Sequence, residues 1–377
     1  MKQILTAAII ILLPLCAMAE EKTPAAETAK KPARQRIEVC FVLDTTGSMG
    51  GLIAGAKAKI WSMANDIISA KPTPEVRFAL IAYRDRGDDY VTKITPLTDD
   101  LDAVYAQLNQ FQAAGGGDTP ESVGRALDES VRKIEWTKDG SVLKIIYLVG
   151  DAPPHAYEDE PDWKKVCTEA VKRDLIINTV QCGADPDTTR VWKEIADRSE
   201  GAFAAIPQDG GVVAIAAPQD KELGELNTKV GATMIGWGDA DTRGFVASKQ
   251  MAAEAAAPAA TAARLSYNAK SGKTVQGTGE LLDAIAEKKV TLDKVKKDEL
   301  PEELRKLSPD ELKTHVEKMQ KERAELQKRI TELSKERDAY IAAERKKLAK
   351  SGKGDGFDEQ VSKSLRSQAK KKGIVYE

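Results

Sequence analysis

Histidine is nearly missing from this sequence, with two in 377 residues. They are His155 and His315, and their separation leaves a zinc site or a histidine-based catalytic triad little to work with. Cysteine is almost as scarce, at four. A net charge of one sign is lacking too: the formal value is −2, so no global basic field recruits nucleic acid. No Gly-x-x-x-x-Gly-Lys-Ser/Thr phosphate loop occurs. No pair of acids beside a nucleophile suggests hydrolysis. The apolar run over residues 4–15 is too short for an ordinary membrane span.

That run has another reading. Lys2 precedes it, and Ala17-Met18-Ala19 follows as a small-x-small site. This is the pattern of a signal peptide over residues 1–19, cleaved after Ala19, which places the protein in the periplasm or outside the cell with no transmembrane helix left. Cys16 raises a lipoprotein alternative, but Leu13-Pro14-Leu15 before it is a poor lipobox. Cleavage leaves Cys40, Cys167 and Cys182, an odd set that allows at most one internal bridge. Cys40 lies inside an apolar strand. Cys167 and Cys182 flank a helix-to-strand return and are the candidate pair; three buried free thiols are the alternative.

What is present is enough apolar residue for a core, 42% of the chain, and an unevenly spread 31% of charged residues. Residues 20–36 are Ala, Lys, Glu, Thr and Pro without apolar periodicity, a flexible linker. Residues 37–43 are nearly all apolar, as a strand buried on both faces requires. Helical spacing follows over 52–68. Strands are expected at 76–83, 90–97 (more polar, hence nearer an edge), 143–149, 175–180 and 203–206. Helices are expected from Thr98-Asp99-Asp100 through Phe111, from Pro120 through Ile134, over 161–172, and from a cap at Asp187 to Ser199. Strands alternating with helices predict an α/β fold: a doubly wound, mostly parallel, six-stranded sheet, as one domain over 37–218.

Beyond it, 219–300 reads as a helical accessory region, with helix over 212–234 and an Ala-rich stretch at 251–263 broken by Pro258. Ser308-Pro309-Asp310-Glu311 opens a long charged helix, within a 301–350 unit, by a capping box. Leu312, Val316, Met319, Leu326, Ile330, Leu333 and Tyr340 form its coiled-coil-like seam. Arg323 and Arg337 occupy seam positions and are expected to weaken pairing. The seam suits an intramolecular helical hairpin or self-association equally. In the tail, 351–377, Phe357, Val361 and Leu365 make one apolar stripe for docking back.

The chemistry-bearing residues collect at predicted strand ends. Asp44 follows the first buried strand, and Thr46 and Ser48 alternate with it on a turn eased by Gly47, Gly50 and Gly51. Asp151 follows the strand at 143–149. Thr119 stands between them, after Gly115-Gly116-Gly117-Asp118. In a doubly wound sheet such ends line the ligand crevice. Two carboxylates and three hydroxyls, without Cys or His, are hard oxygen ligands suited to Mg²⁺, and less sharply to Mn²⁺ or Ca²⁺. Alone, Asp44 or Asp151 reads better as a strand-end turn residue; the ordered set of five favours a metal site.

On these residues the sequence resembles a von Willebrand factor type A domain with a metal-ion-dependent adhesion site, of the bacterial exported kind. The family pattern is Asp-x-Ser-x-Ser, then a distant Thr, then a distant Asp. Asp44, Thr46, Ser48, Thr119 and Asp151 match in order, with Thr46 in place of Ser. The resemblance covers residues 37–206. It implies that these five side chains hold the ion directly or through water, and that a protein partner supplies an acidic side chain. The expected function is thus cation-dependent binding, in adhesion or assembly. A structural protein with a purely stabilising ion, and an enzyme or enzyme subunit, are the alternatives. Catalysis is the weakest: a dehalogenase-type phosphatase needs a second carboxylate where Thr46 stands. Arg86-Gly87-Asp88 is explained by turn chemistry, and His155 by the rim of the site.

Overall fold

The computed structural model describes residues 35–117, 120–211, 215–351 and 356–376. Residues 1–19, expected to be a signal peptide, lie outside these with Cys16 and Ala19, as do Asp118 and Thr119. Six strands form one sheet: β1 (Arg36–Asp44), β2 (Glu75–Tyr83), β3 (Thr92–Thr98), β4 (Leu143–Gly150), β5 (Ile176–Cys182) and β6 (Phe203–Ile206). Their spatial order is β3-β2-β1-β4-β5-β6. All neighbours are parallel except β3, which runs antiparallel to β2 at the edge. The polarity of β3 follows from that place, since only Leu97 in it is buried. β1 sits between β2 and β4, and from Ile37 to Asp44 every residue is buried. The order turns back on itself between β1 and β4, which makes their C-terminal ends the switch-point crevice.

The two faces of β1 feed two cores. Ile37, Val39, Phe41 and Leu43 pack under α1 (Gly50–Ile68), α2 (Leu101–Gln110) and α12 (Gly356–Lys371). Cys40 and Val42 pack under α3 (Val123–Arg132), α4 (Trp163–Lys172) and α5 (Pro186–Arg198). Cys182 belongs to the first core and Cys167 to the second. The sheet therefore separates the candidate disulfide pair, and all three described cysteines are buried free thiols.

Two helix starts differ from expectation. Pro120 does not open α3, because Glu121 N–H is already bonded to the Pro153 carbonyl and the helix begins at Val123. Asp185, not Asp187, caps α5, accepting from Thr188 N–H with Pro186 in the first turn. The helix expected over 212–234 is confined to α6 (Asp220–Gly231), with 212–214 outside the described residues.

Past the sheet come α7 (Ala240–Ala255), α8 (Pro258–Ser271), α9 (Leu281–Ala286), α10 (Glu302–Arg305) and α11 (Pro309–Lys350). Pro258 starts α8 in its first turn, where a missing N–H costs nothing. The capping box at α11 is formed by Ser308 and Glu311. Its seam packs within the chain: Ile330 and Leu333 meet Leu223, Leu226 and Val230 of α6 and Ala262 and Leu265 of α8. The two seam arginines do not weaken this. Arg323 bonds both oxygens of Glu280 at 2.8 and 3.0 Å and the Thr233 carbonyl at 2.9 Å. Arg337 bonds Asp220 at 2.6 Å and the Ala259 carbonyl at 3.1 Å. Each acid comes from a distant element, so the local repeat could not reveal it.

The C-terminal stripe docks as expected. Phe357, Val361 and Leu365 are fully buried beneath β1 and beside α1. Tyr147 Oη donates to the Val361 carbonyl at 3.1 Å, and the amides of Asn178 and Gln368 pair at 2.6 and 3.0 Å. One covering layer of the sheet is thus completed by residues 356–371, far beyond β6, with α6 to α11 inserted before it. Phe357→Ala removes a fully buried ring and is expected to cost about 3–5 kcal/mol, read by denaturant unfolding. A cost under about 1 kcal/mol would show that α12 is not part of the cooperative core.

Candidate metal centre

Asp44 ends β1 with its side chain fully buried. Oδ1 accepts from Thr46 N–H at 2.8 Å and from Thr46 Oγ1 at 2.6 Å. Thr46 Oγ1 lies 3.5 Å from Ser48 Oγ. Three of the five expected ligands thus converge on one turn. Asp151 joins them from the β4 end: Gln208 Nε2 donates to its Oδ2 at 2.6 Å and to the Ser48 carbonyl at 3.4 Å. The fifth, Thr119, lies outside the described residues; of its described neighbours, Gly115 and Glu121 are tied to the site loops. Gly47 N–H bonds the Gly115 carbonyl at 3.3 Å, and Glu121 shares backbone bonds with Pro153 and His155.

One arginine and one threonine clamp these loops from below. Arg84, buried after β2, donates to the carbonyls of Thr45 and Gln112 at 3.1 and 2.7 Å. Thr45 Oγ1 reaches the Tyr83 carbonyl at 3.0 Å and Tyr90 Oη at 2.7 Å. The Arg86-Gly87-Asp88 tripeptide is part of the same framework. Asp88 accepts from Gly116 N–H at 3.3 Å, and Arg86 lies 3.9 Å over the Tyr157 ring while pairing with Asp159 at 2.7 Å. His155 stacks on the same tyrosine, with ring centroids 3.6 Å apart and the two planes nearly parallel.

What the arrangement lacks is positive charge. Among the described residues, Asp44 Oδ2 is buried with no hydrogen-bond partner, and so is Glu121 Oε2. A buried polar atom left unpaired costs roughly 1–3 kcal/mol, more when charged. Burial pushes the Asp44 carboxyl up to about 7, with repulsion from Asp151 adding to it against the Thr46 bonds. Glu121 is pushed up to about 9 by burial and by repulsion from Asp44, Asp85, Asp88 and Asp151. A divalent cation beside these oxygens removes both penalties, so the donor set fits one. No cluster of three His, Cys, Asp or Glu side chains placed to hold a metal occurs among the described residues. A site here has to draw on hydroxyl oxygens, as Thr46 and Ser48 allow.

Glu121 and Gln208 were not singled out by sequence. Glu121 stands directly after the Thr119 loop, which was a usable signal; Gln208, in the turn after β6, carried none. Gly150 was missed as well. A Cβ there would lie 2.3 Å from Tyr83 Oη and 3.0 Å from Asp44 Oδ2.

Two outcomes are expected. Gly150→Ala displaces the Asp44 carboxylate and abolishes any thermal stabilisation by Mg²⁺ while the far-UV circular dichroism stays unchanged; a retained Mg²⁺ response contradicts the packing account. The second concerns pH. A raised folded-state carboxyl holds a proton that the unfolded chain has released, so metal-free stability falls as pH rises from about 4 through 7. The melting temperature of the metal-free protein should drop over that range, and Asp44→Asn should flatten the slope. An unchanged slope in Asp44→Asn would assign the dependence to other groups.

Residues 38–216 match the family model described as the von Willebrand factor A domain. Human von Willebrand factor A domain-containing protein 7 is 39% identical over 114 residues, 30% of this chain and 12% of that protein. The mouse protein of that name is 38% identical over 117 residues, with the same shares of 30% and 12%. A putative ariadne-like RING finger protein R811 of Acanthamoeba polyphaga mimivirus is 23% identical over 158 residues, 37% of this chain and 15% of that protein. The chain therefore spans 12–15% of the length of these curated relatives. Among solved structures, proximal thread matrix protein 1 from the mussel byssus, with zinc occupied MIDAS motif, aligns at a TM-score of 0.38 and 15% identity, over 47% of this chain and 43% of that one. The SpRpn10 VWA domain aligns at 0.35 and 12%, over 47% and 89%. The segment from the first buried strand to just past β6, residues 38–216, is a von Willebrand factor A domain.

Proposed function

We propose that this is an exported binding protein whose von Willebrand factor A domain holds one divalent cation at Asp44, Thr46, Ser48, Thr119 and Asp151. The ion is Mg²⁺ by donor chemistry, with Mn²⁺ and Ca²⁺ as substitutes. The observation that carries the reading is the buried Asp44 carboxylate with one unpaired oxygen, set against two hydroxyls and Asp151. Bound there, the ion supplies a Lewis-acidic position that takes a carboxylate from a protein partner. The protein's own residues do the rest: Thr46 orients Asp44, Gln208 orients Asp151, and Arg84 keeps their loops in register. The protein acts by binding and not by catalysis, which accords with Thr46 standing where a second catalytic acid is needed. Export is supported by the residue pattern over 2–19.

Isothermal titration with Mg²⁺ should show one site per chain. A hundredfold excess over the dissociation constant should add roughly 2.7 kcal/mol of stability, and Asp44→Ala should remove both heat and stabilisation. Mg²⁺ binding unchanged in Asp44→Ala would overturn the assignment.

A further inference from the structure

The loops that surround the metal centre share a charge that the function above does not use. They follow the C-terminal ends of the strands, over residues 84–91, 151–162, 183–187 and 207–211. Lysine is absent from all four. Acidic residues crowd them: Asp88 and Asp89 after β2, Glu158 and Asp159 after β4, Asp187 after β5 and Asp209 after β6. Asp89, Glu158, Asp159, Asp187 and Asp209 are exposed. Asp209 sits against the start of α1, where a Cβ on Gly51 would lie 2.8 Å from its Cα. The two arginines of these loops are already committed. Arg84 is buried on the Thr45 and Gln112 carbonyls with Asp89 3.7 Å away, and Arg86 is stacked on Tyr157 and paired with Asp159.

This is not the composition of the domain as a whole. The opposite end of the sheet has the other balance, a cavity whose lining carries Arg132, Lys138, Lys144, Lys172 and Arg173 against Glu135 and Asp174. The acidic end is also the one whose centre holds two buried, unpaired carboxylate oxygens, on Asp44 and Glu121.

The consequence concerns what can dock. On the reading of this centre as a divalent-cation site, the ion's two charges are cancelled by Asp44 and Asp151. A lone carboxylate approaching it then meets a rim on which the acids outnumber Arg84 and Arg86, the two cations of these loops. Like charges brought together across an interface cost several kcal/mol and suppress wrong partners. Within a Debye length of about 8 Å at physiological salt, this repulsion is not screened away. A carboxylate whose neighbours are cationic escapes it, because the flanking charges meet the ring while the carboxylate meets the ion. We propose that the domain selects a protein segment in which an Asp or Glu is flanked by lysine or arginine, read jointly by the ion and by the ring of Asp89, Glu158 and Asp209.

The test uses the full chain without its signal segment, in saturating Mg²⁺, with fluorescence anisotropy of three labelled peptides: Asp flanked by lysines, Asp flanked by glycines, and Asn flanked by lysines. The lysine-flanked Asp peptide should bind about tenfold or more tighter than the glycine-flanked one at low salt, and the gap should close in high salt. Combined Asp89→Asn, Glu158→Gln and Asp209→Asn should abolish the gap, by tightening the glycine-flanked Asp peptide and weakening the lysine-flanked one, and should leave one Mg²⁺ site per chain. If the two Asp peptides bind equally, with binding dependent on Mg²⁺, the selection is overturned while the metal reading stands. If the lysine-flanked Asn peptide binds as tightly as its Asp counterpart, with or without Mg²⁺, the ring is only attracting cations. Both the selection and the metal-mediated reading then fail. Retention of the gap in the triple variant also overturns the assignment to these residues.

Discussion

The buried carboxylate of Asp44 is the constraint around which this molecule is organised. It lies at the end of the central strand, between two parallel neighbours, where water does not reach it. Thr46 satisfies one oxygen, and the other is buried without a hydrogen-bond partner among the described residues. A structure keeps such a group only when something offsets the cost. Here the surroundings deepen the deficit, since repulsion from Asp151 adds to the burial of Asp44. The glycine at position 150 answers to the same crowding, because a Cβ there would lie 2.3 Å from Tyr83 Oη and 3.0 Å from Asp44 Oδ2. On the proposed reading, a small, hard cation is the counterpart that offsets this cost.

The helical part of the chain solves a different problem with the same physics. Its helices offer little apolar surface individually, and they are tied to one another and to the sheet by buried ion pairs. Arg264 bonds both oxygens of Asp102 at 2.6 and 2.9 Å, joining α8 to α2. Arg323 and Arg337 join α11 to Glu280 and Asp220. Such pairs contribute little net stability, but removing one partner is costly, so they fix one arrangement of helices against others. The chain then returns to the sheet at α12, whose Phe357 lies against Phe41 of β1 with ring centroids 6.4 Å apart.

Much of this was legible in the sequence, and for a reason. The strands of a sheet covered on both faces must be continuously apolar, so residues 37–43 and 143–149 announced themselves. Residues placed directly after such strands must lie at the crevice, which brought out Asp44 and Asp151. The C-terminal stripe at Phe357, Val361 and Leu365 showed because a single apolar face needs a surface to bury it. What was not legible depends on partners distant in the chain. Arg323 and Arg337 read as flaws in a seam until Glu280 and Asp220 were seen beside them. Cys167 and Cys182 read as a pair until the sheet was seen to stand between them. Gln208 and Gly150 act only through what they touch, and local pattern is blind to that.

The central claim is that the unpaired oxygen of Asp44 belongs to a cation site shared with Ser48 and Asp151. The most direct measurement is an anomalous difference map from crystals soaked in Mn²⁺, collected for wild type and Asp44→Asn. The account predicts one peak among Asp44, Ser48 and Asp151 in wild type, lost in Asp44→Asn. Manganese bound elsewhere with none at this position, or a peak that persists in Asp44→Asn, would contradict it.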